Sequence, residues 1–298
     1  MSKMSELVRA AFKESDDIRD AGLTTPEDIQ RYDSIQYGPD PDWQVLDVCR
    51  PKAAQGKMLP VIVSVHGGGW VYGDKERYQY YCMNLAQRGF AVVNFSYRLA
   101  PEFKFPCPVE DTNLVFHWTL AHKEEYGFDT SHIFGVGDSA GGHNLALYSA
   151  ICTNPALAAQ FPFRTPKDFS PTAIALNCGA YEISFEDNGG ADELTQMLMD
   201  DFLPEHGTKE ELERICVLNS ITPQYPPTFF MTATGDFRQE QASLLYRVLM
   251  ANSIPFIFRF YGDAMQKPLG HVFHCNIKSE DAKLCNDEEC AFFKEFLK

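Results

Sequence analysis

Two rhythms of apolar and polar positions alternate along most of the chain. "WQVLDVCRP" (43–51) alternates with the two-residue period of a strand, and "LPVIVSVHG" (59–67) is a short continuous apolar run suited to a buried parallel strand. "AVVNFSYR", "HIFGVG", "TAIALNC", "PTFFMTAT" and "PFIFRFYG" read as further strands. Between them lie stretches of helical period: "RYQYYCMNLAQRGF" ending at Gly89, "VEDTNLVFHWTLAHKEEYG", "SAGGHNLALYSAICTN", "EQASLLYRVLMANS" and "DEECAFFKEFLK". Strand–helix alternation of this kind predicts an α/β fold with a mostly parallel central sheet and helices on both faces. Two segments stand outside it. "SELVRAAFKESDDIRDAG" predicts an amphipathic helix with Leu7, Ala11 and Phe12 on one face, and "TTPEDIQRYDSI" a second helix with Thr25 as N-cap and Pro26 at its first position. From Ser184 to about Pro223 the text is acidic and helical. Residues 1–40 and 184–223 are therefore expected to form a helical cap over a core of residues 41–183 and 224–298.

Bulk composition narrows the function classes. A chain of 298 residues accommodates one large α/β domain, and its 13% aromatic content suits a large core or an apolar pocket. The net charge of −15 repels phosphate backbones and anionic headgroups, which argues against nucleic-acid or membrane partners. No secretory signal and no run long enough for a membrane span is visible. Nine scattered cysteines read as reduced thiols in a cytoplasm. "HVFHC" with Cys285 and Cys290 matches no zinc spacing, so neither a metal nor a cofactor is expected.

The chemistry concentrates at two glycine-rich loops. "GVGDSAGGHN" (135–144) places Ser139 between a strand and a helix. Gly137 and Gly141 lack side chains, so strand and helix can approach closely around a strained serine. The turn lifts the Ser139 hydroxyl out of the sheet and aims the Ala140 N–H, at a helix N-terminus, toward a developing oxyanion. A trypsin-like reading of the Gly-Asp-Ser run fails, because that fold is all-β and Ala140 replaces the first glycine after the serine. "VHGGGW" (Val65–Trp70) follows an earlier strand and can present backbone N–H groups without side-chain obstruction.

With these motifs the chain resembles the hormone-sensitive-lipase-like carboxylesterases of the α/β-hydrolase superfamily. The resemblance runs from about Asp42 onward through "HGGGWVYGDK", "SYRLAPE" (Ser96–Glu102), "FPCPVED" (Phe105–Asp111) and "GVGDSAGGHNLA". It implies that Gly68 and Gly69 join Ala140 in an oxyanion hole and that His66 is structural. It also implies the order serine, acid, histidine. The acid is then Asp236 in "TGDFRQEQA", which keeps the aspartate and arginine of the family's Asp-Pro-Leu-Arg-Asp segment. The histidine is His271 in "GHVFH", where Val272 replaces the family's glycine, with His274 as the alternative. His117, His122, His132, His143 and His206 are expected at the surface or in packing. The expected reaction is hydrolysis of small-molecule esters with short acyl chains. A silent binding or receptor protein, or an amidase or peptidase, on the same fold are the rival readings.

Overall fold

Valines at alternate positions of one strand show how the sheet is clad. In β3 (Leu59–Val65), Val61, Val63 and Val65 face one side of the sheet while Ile62 faces the other, and all four are fully buried. Branched residues buried on both faces are what a central parallel strand requires. The computed structural model describes residues 3–184, 193–263 and 265–297. Its remaining strands are β1 (Ile29–Gln36), β2 (Val45–Pro51), β4 (Ala91–Phe95), β5 (Phe128–Asp138), β6 (Ala173–Asn177), β7 (Thr228–Ala233) and β8 (Phe256–Tyr261). They form one eight-stranded sheet in the order β1-β2-β4-β3-β5-β6-β7-β8, in which only β2 runs against its neighbours.

The helices are α1 (Lys3–Asp20), α2 (Lys75–Ala86), α3 (Cys107–Ala121), α4 (Lys123–Tyr126), α5 (Ser139–Thr153), α6 (Pro155–Ala158), α7 (Glu193–Phe202), α8 (Lys209–Ile215), α9 (Gln239–Ala251) and α10 (Glu280–Lys294). Helices α3, α5 and α9 pack with Val61, Val63 and Val65 on one face; α2 and α10 pack with Ile62 on the other. The expected α/β-hydrolase architecture is present, with every predicted strand in its place.

Two N-terminal expectations are corrected. Residues 29–36 form strand β1 rather than a second helix. Ile29, Tyr32 and Ile35 recur every three residues like a helix face, but a bulge between Tyr32 and Ile35, with Ser34 at φ 56°, shifts the pleat. Tyr32 and Ile35 thereby both pack on the same core cluster. In α1, Val8 is buried but Leu7 is 56% exposed. This helix docks by polar contacts instead: Arg9 donates to the Val71 carbonyl at 2.7 Å and pairs with Glu102, and Arg19 donates to the Arg77 carbonyl at 2.6 Å. Of the predicted stripe Leu7 and Ala11 face outward, and only Phe12 turns inward, edge-on to Tyr72.

Candidate active site

Every candidate residue sits just beyond the C-terminal end of a parallel strand, where open α/β sheets place their ligands. The "HGGGW" loop leaves β3, Ser139 leaves β5, Asp236 follows β7, and His271 follows β8. Ser139 is the first residue of α5 and has φ 50°, a left-handed conformation that costs an L-residue of order 1–3 kcal/mol. Packing enforces that turn: a Cβ on Gly137 would stand 2.5 Å from the Gly141 carbonyl oxygen, and one on Gly141 would overlap the carbonyl oxygens of Val65 and His66. Glycine at both positions lets β5, α5 and the "HGGGW" loop meet this closely, and Gly67, whose Cβ would stand 2.8 Å from Asp138 Oδ2, adds to the same close approach.

Asp236 is buried, and its carboxylate is fully engaged. Its Oδ1 accepts from the Arg238 backbone N–H at 2.9 Å and bonds His271 Nδ1 at 2.6 Å, while Oδ2 accepts from the Thr232 hydroxyl at 2.7 Å. Burial alone pushes its pKa up; the bond and charge of His271, with the Arg238 and Thr232 donors, outweigh it and hold the carboxyl below its usual range. His271 Nε2 is buried and has no hydrogen-bond partner among the described residues. His271 lines a cavity of about 270 Å³ together with Ser139, Gly68 and Gly69. Ala140 is buried behind Ser139 at the start of α5.

His274 lies elsewhere. Its ring is fully buried edge-on to Tyr81, with centroids 5.1 Å apart, and burial drives its pKa down to about 3. Its ring and the Cys275 thiol gather with the Asp138 carboxylate, with ligating atoms within 4.8 Å of one another, while Cys285 and Cys290 on α10 stand outside that group. His66 is a packing residue: it stacks on Tyr97 at 4.0 Å, bonds the Gly67 carbonyl through Nδ1 at 2.8 Å, and burial lowers its pKa to about 4.

Several site residues escape sequence reasoning. Tyr78 donates to Asp138 Oδ2 at 2.7 Å and accepts from the Gly67 N–H at 2.9 Å, tying the serine turn to the "HGGGW" loop. Burial raises the Asp138 pKa to about 6. From the cap side, α1 contributes Phe12, Asp16 and Arg19 to the cavity wall, and α7 contributes Leu194, Thr195 and Leu198. Helix periodicity shows that these helices exist; it carries no sign of which residues face a distant serine.

The fold is that of an α/β-hydrolase. The chain belongs to the BD-FAE family, whose model matches residues 46–249. It is 34% identical to the esterase LipC of Mycobacterium tuberculosis over 149 residues, covering 50% of this chain and 36% of that protein. It is 28% identical to an esterase of Gibberella moniliformis over 209 residues, covering 67% of this chain and 63% of the relative. The match thus spans about a third to just under two thirds of these relatives' lengths. Among solved structures, esterase B of Lactobacillus rhamnosis superposes with a TM-score of 0.88 at 26% identity, covering 98% of this chain and 95% of that one. A further structure of that esterase is of its inhibition by a C4-C4 SN3 tributyrin phosphonate. Among the described residues, no helix is long and apolar enough to cross a membrane.

Proposed function

We propose that the protein is a serine carboxylesterase that hydrolyses small-molecule esters with short acyl chains, acetyl included. The observation that carries this reading is that Ser139, Gly68, Gly69 and an Asp236-bonded His271 share one cavity. With its Nδ1–H held by Asp236, the neutral imidazole presents Nε2 as a base. Nε2 takes the Ser139 proton as Oγ attacks the ester carbonyl. The N–H groups of Gly68, Gly69 and Ala140 stabilise the tetrahedral oxyanion, each worth on the order of 3 kcal/mol. Collapse of that intermediate releases the alcohol, which receives the proton from His271. Water, activated by the same histidine, then hydrolyses the acyl-enzyme.

The compact cavity supports short acyl groups, as does the C4 inhibitor of esterase B. We assign the cap to residues 1–40 and 184–223, less the strand at 29–36, over a core of residues 41–183 and 224–298; residues 1–2, 185–192, 264 and 298 of these ranges lie outside the described residues. All nine cysteines are free thiols, which favours a reducing, cytoplasmic setting.

A panel of p-nitrophenyl esters from acetyl to decanoyl, run on the wild type and Ser139→Ala, tests the reading. Acetyl to butyryl esters should turn over fastest, and Ser139→Ala should lose about 10⁴-fold or more in turnover. Wild-type turnover in that variant, or a preference for decanoyl, rejects it.

A further inference from the structure

The cavity wall holds two guanidinium groups in different circumstances. Arg19 is neutralised by Asp16 and Asp20, each at 2.8 Å. Arg238 has no carboxylate partner among the described residues. Its Nη2 donates to the Thr195 hydroxyl on α7 at 2.6 Å, and its charge lies over the Phe237 ring, 5.8 Å from the centroid. A guanidinium carries five N–H donors in a planar fork suited to a carboxylate.

The position of this group is fixed relative to the chemistry. The Arg238 backbone N–H donates to Asp236 Oδ1 at 2.9 Å, and Phe237 packs on the His271 ring with centroids 4.3 Å apart. Arg238, Thr195, Phe237, His271 and Ser139 all line the one cavity.

We propose that Arg238 receives a carboxylate of the substrate, so that the preferred esters carry an anionic group on their acyl or alcohol arm. This rests on the esterase reading and names the substrate class of that site. The carboxylate takes no part in bond making; it anchors the ester while Ser139 attacks. The net charge of −15 repels anions at long range, but salt screens that field over about 10 Å at 0.1 M. The preference must therefore come from the local pair, which is stronger than a neutral hydrogen bond.

The test uses the full chain and two pairs of near-isosteric esters in a pH-stat at neutral to mildly alkaline pH. Monoethyl glutarate against ethyl pentanoate reports on the acyl arm; acetoxybutanoate, with its acetoxy group on the terminal carbon, against butyl acetate reports on the alcohol arm. The charged ester should lead its neutral partner by about tenfold or more in kcat/KM on one arm. Arg238→Leu should bring that ratio to one or below, and Arg238→Lys should keep part of it. Thr195→Val removes the same bond to α7 but keeps the guanidinium, and should retain the wild-type ratio. A wild-type ratio of one or less on both arms overturns the inference. So does a Thr195→Val ratio as low as that of Arg238→Leu, which would make Arg238 a latch for α7. Failure of all four esters to hydrolyse would instead reject the esterase reading.

Discussion

His271 Nδ1 stands 2.6 Å from Asp236 Oδ1, whereas the ring of His274, three residues on, is buried edge-on to Tyr81. A general base needs one ring nitrogen held by an acid and the other facing the reacting hydroxyl. Among the described residues, only His271 of the histidines has both an acid partner and a place in the wall of the Ser139 cavity. His271→Ala should therefore lose about 10⁴-fold or more in turnover on p-nitrophenyl acetate. His274→Ala should stay within about tenfold, or ~1.4 kcal/mol, while lowering the melting temperature, because it empties a fully buried position. If His274→Ala is the inactive variant, the base has been misassigned.

The serine turn tolerates no added carbon at Gly141, whose Cβ would overlap the carbonyl oxygens of Val65 and His66. Both obstacles are backbone, so relief requires shifting the "HGGGW" loop away from Ser139. Gly141→Ala should cost about 2 kcal/mol or more of stability and lose at least tenfold in kcat/KM. Gly22→Ala makes a control: it shares a left-handed φ, 80°, but a Cβ there meets nothing within 4 Å. It should lower stability modestly and leave activity alone. Equal effects of the two variants on activity would show that crowding at Gly141 is not what shapes the turn.

The strands were readable because burial on both faces leaves a strong apolar signature, as in β3 and in the fully buried β4. The Ser139 and Gly68 loops were readable because close backbone approach admits only glycine. The apolar stripe of α1 shows only Phe12 of its inward face, since Arg9 and Arg19 dock the helix through carbonyls and carboxylates that only the folded chain brings near. Strand β1 was missed because the bulge at Ser34 converts a period of two into an apparent period of three. Arg238 was visible only as a match to a motif; its lack of a carboxylate partner is a property of the assembled cavity.

Val272 follows the candidate base at φ 50°, in the left-handed region that disfavours a β-branched residue. Relief of this strain by glycine is worth of order 1 kcal/mol, against a similar loss from removing a half-buried side chain. Val272→Gly should therefore change unfolding free energy by less than about 1 kcal/mol. Val272→Ala, which keeps a Cβ and loses the packing, should be the less stable of the two. Chemical denaturation of both variants checks the order; glycine falling well below alanine would mean that packing outweighs strain here.

Glu289 is buried in α10, where its carboxyl accepts from Asn177 Nδ2 at 2.6 Å and from the Tyr81 hydroxyl at 2.9 Å. Burial is the largest influence and pushes its pKa up to about 7, against the opposing pull of those two donors. The folded state thus holds a proton that the unfolded chain releases near pH 4.5. The sign follows: this contribution is fully present below about pH 4.5 and is lost as pH rises through about 7, by up to a few kcal/mol. Asp138, raised to about 6, adds to the same slope; the buried neutral rings of His66, His143 and His274, with pKa values held below the ordinary 6.5, run against it below that pH, and the depressed pKa of Asp236 acts only at the acid end. Glutamine at position 289 cannot ionise, matches the protonated acid in size, and can still accept a bond while the Tyr81 hydroxyl turns to meet its amide. The sign is therefore read from the difference between variants: the melting temperature of Glu289→Gln should rise relative to wild type between pH 5 and pH 8 and exceed it at pH 8. A Glu289→Gln profile parallel to wild type would show that Glu289 does not change its charge on folding.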